Sequence, residues 1–238
     1  MILTLDIETL PTTDAGIIAS IAAGITAPAQ YKKPESITEW LRDNKEQATK
    51  DAVAKTSFDG MYGSIACICY SFDGGEVFSH DANDSDGEEG MLCNFYSHVL
   101  DVTSVAYVGG VASQQLVVCG HNVHAFDLPF LYHRSVILGV KPIPSIIKAM
   151  KASKYDACIA DTMLMWSNDP HKRGSMDRIC KALGIPGKGD FDGSMVADTW
   201  LTDPQKVIDY CKDDVRRTRA MWERLTFADS AAELRVAA

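Results

Sequence analysis

The stretch MILTLDIETL at positions 1–10 constrains the fold more than any other part of the chain. Its alternation predicts a strand over residues 1–8, with Leu3, Leu5 and Ile7 on one face and Thr4, Asp6 and Glu8 on the other. A strand this apolar belongs inside a sheet, yet one of its faces carries two carboxylates two residues apart. Burying a carboxylate is costly unless a positive charge or hydrogen-bond donors meet it. The rest of the chain must therefore bring something to that face.

Further strands and helices follow from the pattern. SIACICYSF (64–72) and EVFSH (76–80), joined by Asp73-Gly74-Gly75, predict a hairpin that pairs with the first strand. An acidic loop, DANDSDGEEG (81–90), leads into a helix near 90–102. LVVCGHN (116–122) predicts a buried strand, FDLPFLYHRSVIL (126–138) a helix, and ACIADTM (157–163) a short strand; helices follow near 175–183 and 204–226. Strands first in a meander and then alternating with helices imply an α/β domain, a mixed sheet covered by helices. Residues 10–62 are less regular, with a helix over 36–54, and are expected to form an insertion on the rim of one domain spanning 1–238.

The segment PQKVIDYCKDDVRRTRAMWERL (204–225) has proline in its first turn and apolar residues at 207, 211, 215, 218, 222 and 225. At about 100° per residue, Asp214 lies only about 50° from the centre of that stripe, Tyr210 about 90° and Asp213 about 150°. Asp213 is then a solvated charge, whereas Asp214 points inward. Arg217, the nearest cation on the helix, is expected to face largely towards solvent. In GHNVHAFDLPFL (120–131), Asp127 stands where a buried strand gives way to a helix; by itself it could simply complement the helix dipole.

Taken together, Asp6, Glu8, Asp127 and Asp214 each sit at an edge of core structure, and four convergent carboxylates require cations. Oxygen donors without histidine or cysteine favour Mg²⁺ or Mn²⁺. Two such ions about 4 Å apart suit a phosphodiester displacement. Other candidate sites fail on spacing. His121 and His124 have no further ligands at zinc spacing. GIPGKGD lacks the residues of a phosphate-binding loop, which leaves Lys188 as a loop lysine. The acidic stretches DANDSDGEEG and DFDGS lack the glycine of a calcium loop.

Composition narrows the function. A net charge of -9 argues against a broad basic surface for nucleic acid, though not against a narrow cleft that handles phosphates through metal ions. The seven cysteines are scattered, without Cys-x-x-Cys spacing, and read as reduced core residues of a cytoplasmic protein. No window of the chain is apolar enough to suggest a membrane span.

DIET (6–9), GHNVHAFDLPFL (120–131) and YCKDD (210–214) resemble, in order, the three exonuclease motifs of the DEDD family of 3'-5' exonucleases. Tyr210, four residues before Asp214, matches the DEDDy subclass. DTMLMW and SMDRICKALGIPGKGDFDGSMV are similar to predicted exonucleases of the family-B DNA polymerase type found in phage and bacterial genomes. The resemblance implies a ribonuclease-H-like fold with a mixed five-stranded sheet flanked by helices. It also implies a two-metal-ion 3'-5' exonuclease that releases nucleoside 5'-monophosphates from a DNA end, single-stranded by preference. Asp6, Glu8, Asp127 and Asp214 would hold two Mg²⁺ or Mn²⁺ ions, and Tyr210 would orient the attacking water. Thr9, Leu10, His121, Asn122 and Phe126 would line the pocket for the terminal nucleotide, with a replication or repair protein as a further partner. Two alternatives stand beside this expectation: an exoribonuclease with the same acids, and a catalytically quiet nucleic-acid-binding module.

Overall fold

The computed structural model describes residues 1–83, 86–108, 115–169 and 171–228. Positions 84–85 of the expected acidic loop lie outside the described residues. In chain order the elements are β1 (Ile2–Leu10), α1 (Ala15–Gly24), α2 (Pro34–Ala54), β2 (Ser64–Phe72), β3 (Val77–Asp81), α3 (Gly87–Val108) and β4 (Val117–Gly120). They continue with α4 (Asp127–Leu138), α5 (Pro144–Lys151), β5 (Ile159–Asp161), α6 (Thr162–Trp166), α7 (Met176–Leu183), α8 (Val196–Trp200) and α9 (Pro204–Leu225).

The strands form one mixed five-stranded sheet in the order β3-β2-β1-β4-β5, flanked by helices, the α/β architecture expected. The central strand β1 pairs antiparallel with β2 and parallel with β4, and β4 is parallel to β5. Between β2 and β3 the Gly75 amide donates to the Phe72 carbonyl at 2.9 Å, closing a turn across Asp73 and Gly74, which both take positive φ, 48° and 77°. Asp73 also fastens the end of β1, its carboxylate accepting from the Ile2 amide at 2.7 Å.

Helices cover both faces, so residues 65–71 of β2 are buried in an unbroken run. Leu3, Leu5 and Ile7 enter one core with Phe95 of α3 and Leu128 and Leu131 of α4. On the opposite face, Ala66, Cys67 and Cys69 of β2 meet Val207, Ile208, Cys211 and Val215 of α9. This second face is the one to which β1 presents Asp6 and Glu8. Helix α9 starts at Pro204 behind the Asp203 cap and buries Val207, Cys211, Asp214, Val215 and Thr218, as its periodicity predicts. Near its end the buried position is Met221, while Trp222 and Leu225 are only half-buried.

Between β1 and β2, neither α1 nor α2 contributes a buried residue. The chain then returns to β1 through a short 3-10 turn, Lys55–Phe58. Thr56 accepts from the Thr12 amide at 2.8 Å, and Thr9 donates to the Ser57 carbonyl at 2.6 Å. Gly63 closes this return: a Cβ there would lie 2.5 Å from the Thr56 carbonyl oxygen. No helix among the described residues is long and apolar enough to cross a membrane.

Candidate active site

Four separate segments converge on one open cleft of about 200 Å³ at the second face of β1. Asp6 and Glu8 come from β1, Asp127 from the first turn of α4, and Tyr210 and Asp214 from α9; all five line it. Ser57 and Phe58, from the stretch between β1 and β2, close one side.

Asp127 is buried at the start of α4 without capping it; the N-cap is Phe126, which makes no side-chain cap bond. Its Oδ1 instead accepts from the Ile7 amide at 3.2 Å, tying the helix to the strand between the two other acids. The turn before α4 is held by Asp161, itself buried. One Asp161 carboxylate accepts from the amides of Asn122 and His124, both at 3.1 Å, and caps α6 through Met163 and Leu164. The expected strand over 157–163 therefore ends at Asp161, which serves as a cap. An aspartate followed by threonine ahead of an apolar turn is the signal that could have shown this.

The thirteen-residue stretch from Cys180 to Asp192 corrects one expectation. Lys188 is not a solvated loop lysine but a wall of the cleft. Its ammonium donates to the Tyr210 hydroxyl at 2.7 Å and pairs with Asp214 Oδ2. Helix α7 stops at Gly184 with φ of 70°, and Gly189 turns the chain again at 68°. Between them Gly187 lies so close to Asp177 that a Cβ would fall 2.6 Å from Oδ1, the oxygen that accepts from the Lys188 amide. Phe191 then packs edge-on against Tyr210 at 4.9 Å.

Arg217 is also corrected. Its side chain is 12% exposed and its Nη1 donates to Asp214 Oδ1 at 2.7 Å, while Nε donates to the Pro186 carbonyl at 3.3 Å. The long guanidinium arm folds back along the helix from a position whose Cα faces outward. Asp214 is thus held by two cations, one at each oxygen.

The carboxylates nearer the strand are not neutralised in this way. Burial, then the charges of Asp127, Glu8 and Asp214, push the Asp6 carboxyl well above the usual range. Burial also raises Glu8, with the Cys67 thiol and Asp214 adding to it. Burial lifts Asp127 to about 7, against the backbone N–H groups that favour its charged form. In the folded protein these groups keep their protons to higher pH than in the unfolded chain, so their contribution to stability is full below the ordinary carboxylate range and is lost as pH rises through the folded values. In chelator, the melting temperature should fall between about pH 5 and pH 8, and added Mg²⁺ should remove most of that slope. A melting temperature that rises over this window, measured by circular dichroism, would contradict the arrangement.

The donor set fits hard divalent cations: clustered carboxylate oxygens opening on a cleft, in excess of the cations that pair with them. Of the residues expected to meet substrate, Thr9, His121 and Phe126 line the cleft. Leu10 and Asn122 do not. A register shift between Glu8 and Thr9 turns Leu10 towards the core beneath α8 and α9, and Asn122 takes φ of 67° as a turn residue. Phe58, which pattern alone could not single out, is 73% exposed beside the cleft with its ring 6.5 Å from that of Phe126.

Comparisons with known proteins bear on the fold and the family. Over 94% of its length the chain superposes on the family B DNA polymerase from the hyperthermophilic archaeon Pyrobaculum calidifontis, with a TM-score of 0.56 and 15% identity. The likeness covers 24% of the polymerase chain, so this protein spans about a quarter of that molecule, and at this identity it establishes the fold, the ribonuclease-H-like one expected. No curated protein matches the sequence. Residues 63–235, well over half of the chain, match a family described as "Predicted 3'-5' exonuclease related to the exonuclease domain of PolB". The chain therefore belongs to this family of predicted exonucleases related to that of PolB.

Proposed function

We propose that the protein is a metal-dependent 3'-5' exonuclease of the DEDDy type that removes nucleoside 5'-monophosphates from the 3' end of DNA, preferring single strands. The observation that carries this reading is the meeting of Asp6, Glu8, Asp127, Asp214 and Tyr210 on one cleft from segments more than 200 residues apart. Asp6, Glu8, Asp127 and Asp214 would hold two Mg²⁺ or Mn²⁺ ions. When bound, such ions supply the positive charge that stabilises the attacking and leaving oxygens of a phosphodiester displacement.

The protein's own groups divide the remaining work. Burial, then the charge of Asp214, hold the Tyr210 hydroxyl above its usual range, so it stays protonated and can position a water by hydrogen bonding. Burial disfavours the Lys188 ammonium, but Asp214 and Tyr210 outweigh it and keep the group charged, placing a fixed cation where phosphate charge must be met. The cleft, at about 200 Å³, is smaller than the roughly 300 Å³ of a small ligand pocket and suits cations and a phosphate. A terminal base would lie outside it, stacked against Phe58 and Phe126, which favours frayed or single-stranded ends. DNA is favoured as substrate because the matched family is related to the exonuclease domain of PolB, and a net charge of -9 argues against a broad basic surface for long duplex.

Side-by-side digestion of 5'-labelled single-stranded DNA and RNA, with Mg²⁺, Mn²⁺ or chelator, tests the proposal. A descending ladder on DNA that chelator abolishes is the expected result. A ladder on RNA alone would make the protein an exoribonuclease, and none on either would leave a binding module. Tyr210→Phe should lower kcat by about 10² with little change in KM, the scale of one positioned proton-transfer partner. An unchanged kcat would remove Tyr210 from the chemistry.

A further inference from the structure

Beside the carboxylates of β1, on the same face of the sheet, lies a group of side chains that the nuclease chemistry does not use. Cys67 and Cys69 alternate on β2 and so point to the same side of the sheet, towards α9, where Cys211 meets them. The three sulfur atoms lie within 4.8 Å of one another, and all three residues are completely buried. None is in a disulfide. Three sulfurs around one ion with metal–sulfur bonds of about 2.3 Å stand roughly 4 Å apart, so the cluster needs only a small contraction to embrace a cation. An oxygen ligand is at hand: Cys211 Sγ lies 3.6 Å from Asp6 Oδ2, and Asp6, Glu8 and Cys211 offer donor atoms within 4.8 Å of each other. The cleft at Asp6 and Glu8 gives such an ion a way in.

We propose that Cys67, Cys69 and Cys211 form a second cation site, selective for a soft thiophilic ion such as Zn²⁺, Cd²⁺ or Cu⁺, which shares Asp6 with the cleft and inhibits the enzyme when filled. Thiolate ligands select soft ions, whereas Mg²⁺ and Mn²⁺ prefer the neighbouring oxygen donors of the cleft. Each thiol that binds gives its proton to water, so binding is accompanied by proton release. An ion on the sulfurs draws the Asp6 carboxylate towards Cys211 and away from the cleft. The inhibitory part rests on the exonuclease reading; the binding part does not.

Cd²⁺ is the probe. The full chain, kept reduced with a phosphine and freed of metals, is titrated with Cd²⁺ in excess Mg²⁺ while cadmium–thiolate charge-transfer absorption is followed in the ultraviolet. We expect one equivalent to bind with this absorption, and binding to be lost in Cys67→Ala and Cys211→Ala but kept in Cys93→Ser, which alters an exposed thiol outside the cluster. As a check that needs no variant, alkylation in mild denaturant followed by mass spectrometry should find Cys67, Cys69 and Cys211 protected together by Cd²⁺. Absence of the absorption in the wild type, its persistence in both alanine variants, or protection of other cysteines instead would overturn the site. Hydrolysis should be lost as the site fills and should survive Cd²⁺ in any cluster variant that folds. Full hydrolysis with Cd²⁺ bound would overturn the inhibition. Cadmium binding in a protein that cleaves no substrate under any condition would support the thiol site and reject the exonuclease reading.

Discussion

Asp6→Asn and Asp214→Asn should both abolish hydrolysis, by about 10³-fold or more, yet move stability in opposite directions. Asp6 sits in a buried group of like charges that raises its carboxyl, so replacing it with a neutral isostere relieves repulsion. In chelator at neutral pH that change should stabilise the fold by about 1–2 kcal/mol, the size seen when a strained functional site is relaxed. Asp214 is the reverse case. Its two oxygens neutralise Lys188 and Arg217, whose side chains are 22% and 12% exposed. Removing its charge strands Lys188 and leaves Arg217 only the longer pair with Asp213 at 3.8 Å, at a cost of about 3 kcal/mol. Activity on labelled DNA and chemical denaturation of the two variants together provide the test. Equal shifts of stability in the same direction would show that the acids do not differ in their charge environment.

Lys188→Ala is the second large effect. The ammonium holds Tyr210 by its hydroxyl and Asp214 by its charge, so its loss should lower kcat by about 10²-fold. At the same time it removes a positive charge from the cleft proposed to hold divalent cations, and so the Mg²⁺ concentration for half-maximal rate should fall. This pairing of a slower rate with tighter metal dependence separates Lys188 from a residue that merely supports the loop, whose loss would weaken both. Lys188→Arg, which keeps the charge but not the compact ammonium, should recover the metal dependence better than the rate. A rate titration with Mg²⁺ on the three proteins decides it.

Much of this site could be read from periodicity because its acids lie on regular elements. A period of two placed Asp6 and Glu8 on one face of β1, and a period of 3.6 turned Asp214 inward and Asp213 outward; in the fold Asp214 is buried while Asp213 pairs at the surface with Arg216 at 2.7 Å. Lys188 was illegible for the complementary reason. Its position depends on the path of a loop set by Gly184, Gly187 and Gly189, and no period runs through a loop. Phe58 enters by the same kind of irregular return. The thiol cluster needed the pairing of β2 with α9 across more than 140 residues, which the spacing of scattered cysteines does not contain. Short helices such as α5 and α6, at eight and five residues, are too brief to establish a period of their own.

Helix α9 is the last described helix. It supplies both the cover on the second face of the sheet and two of the five candidate catalytic residues, Tyr210 and Asp214. During synthesis the strand bearing Asp6 and Glu8 leaves the ribosome long before residue 214, so a nascent or prematurely released chain carries acids without their partners and a sheet with one side bare. Maturation of the fold and assembly of the cleft are then a single event. A chain without α9 exposes Ala66, Cys67 and Cys69 of β2 before the cleft is assembled.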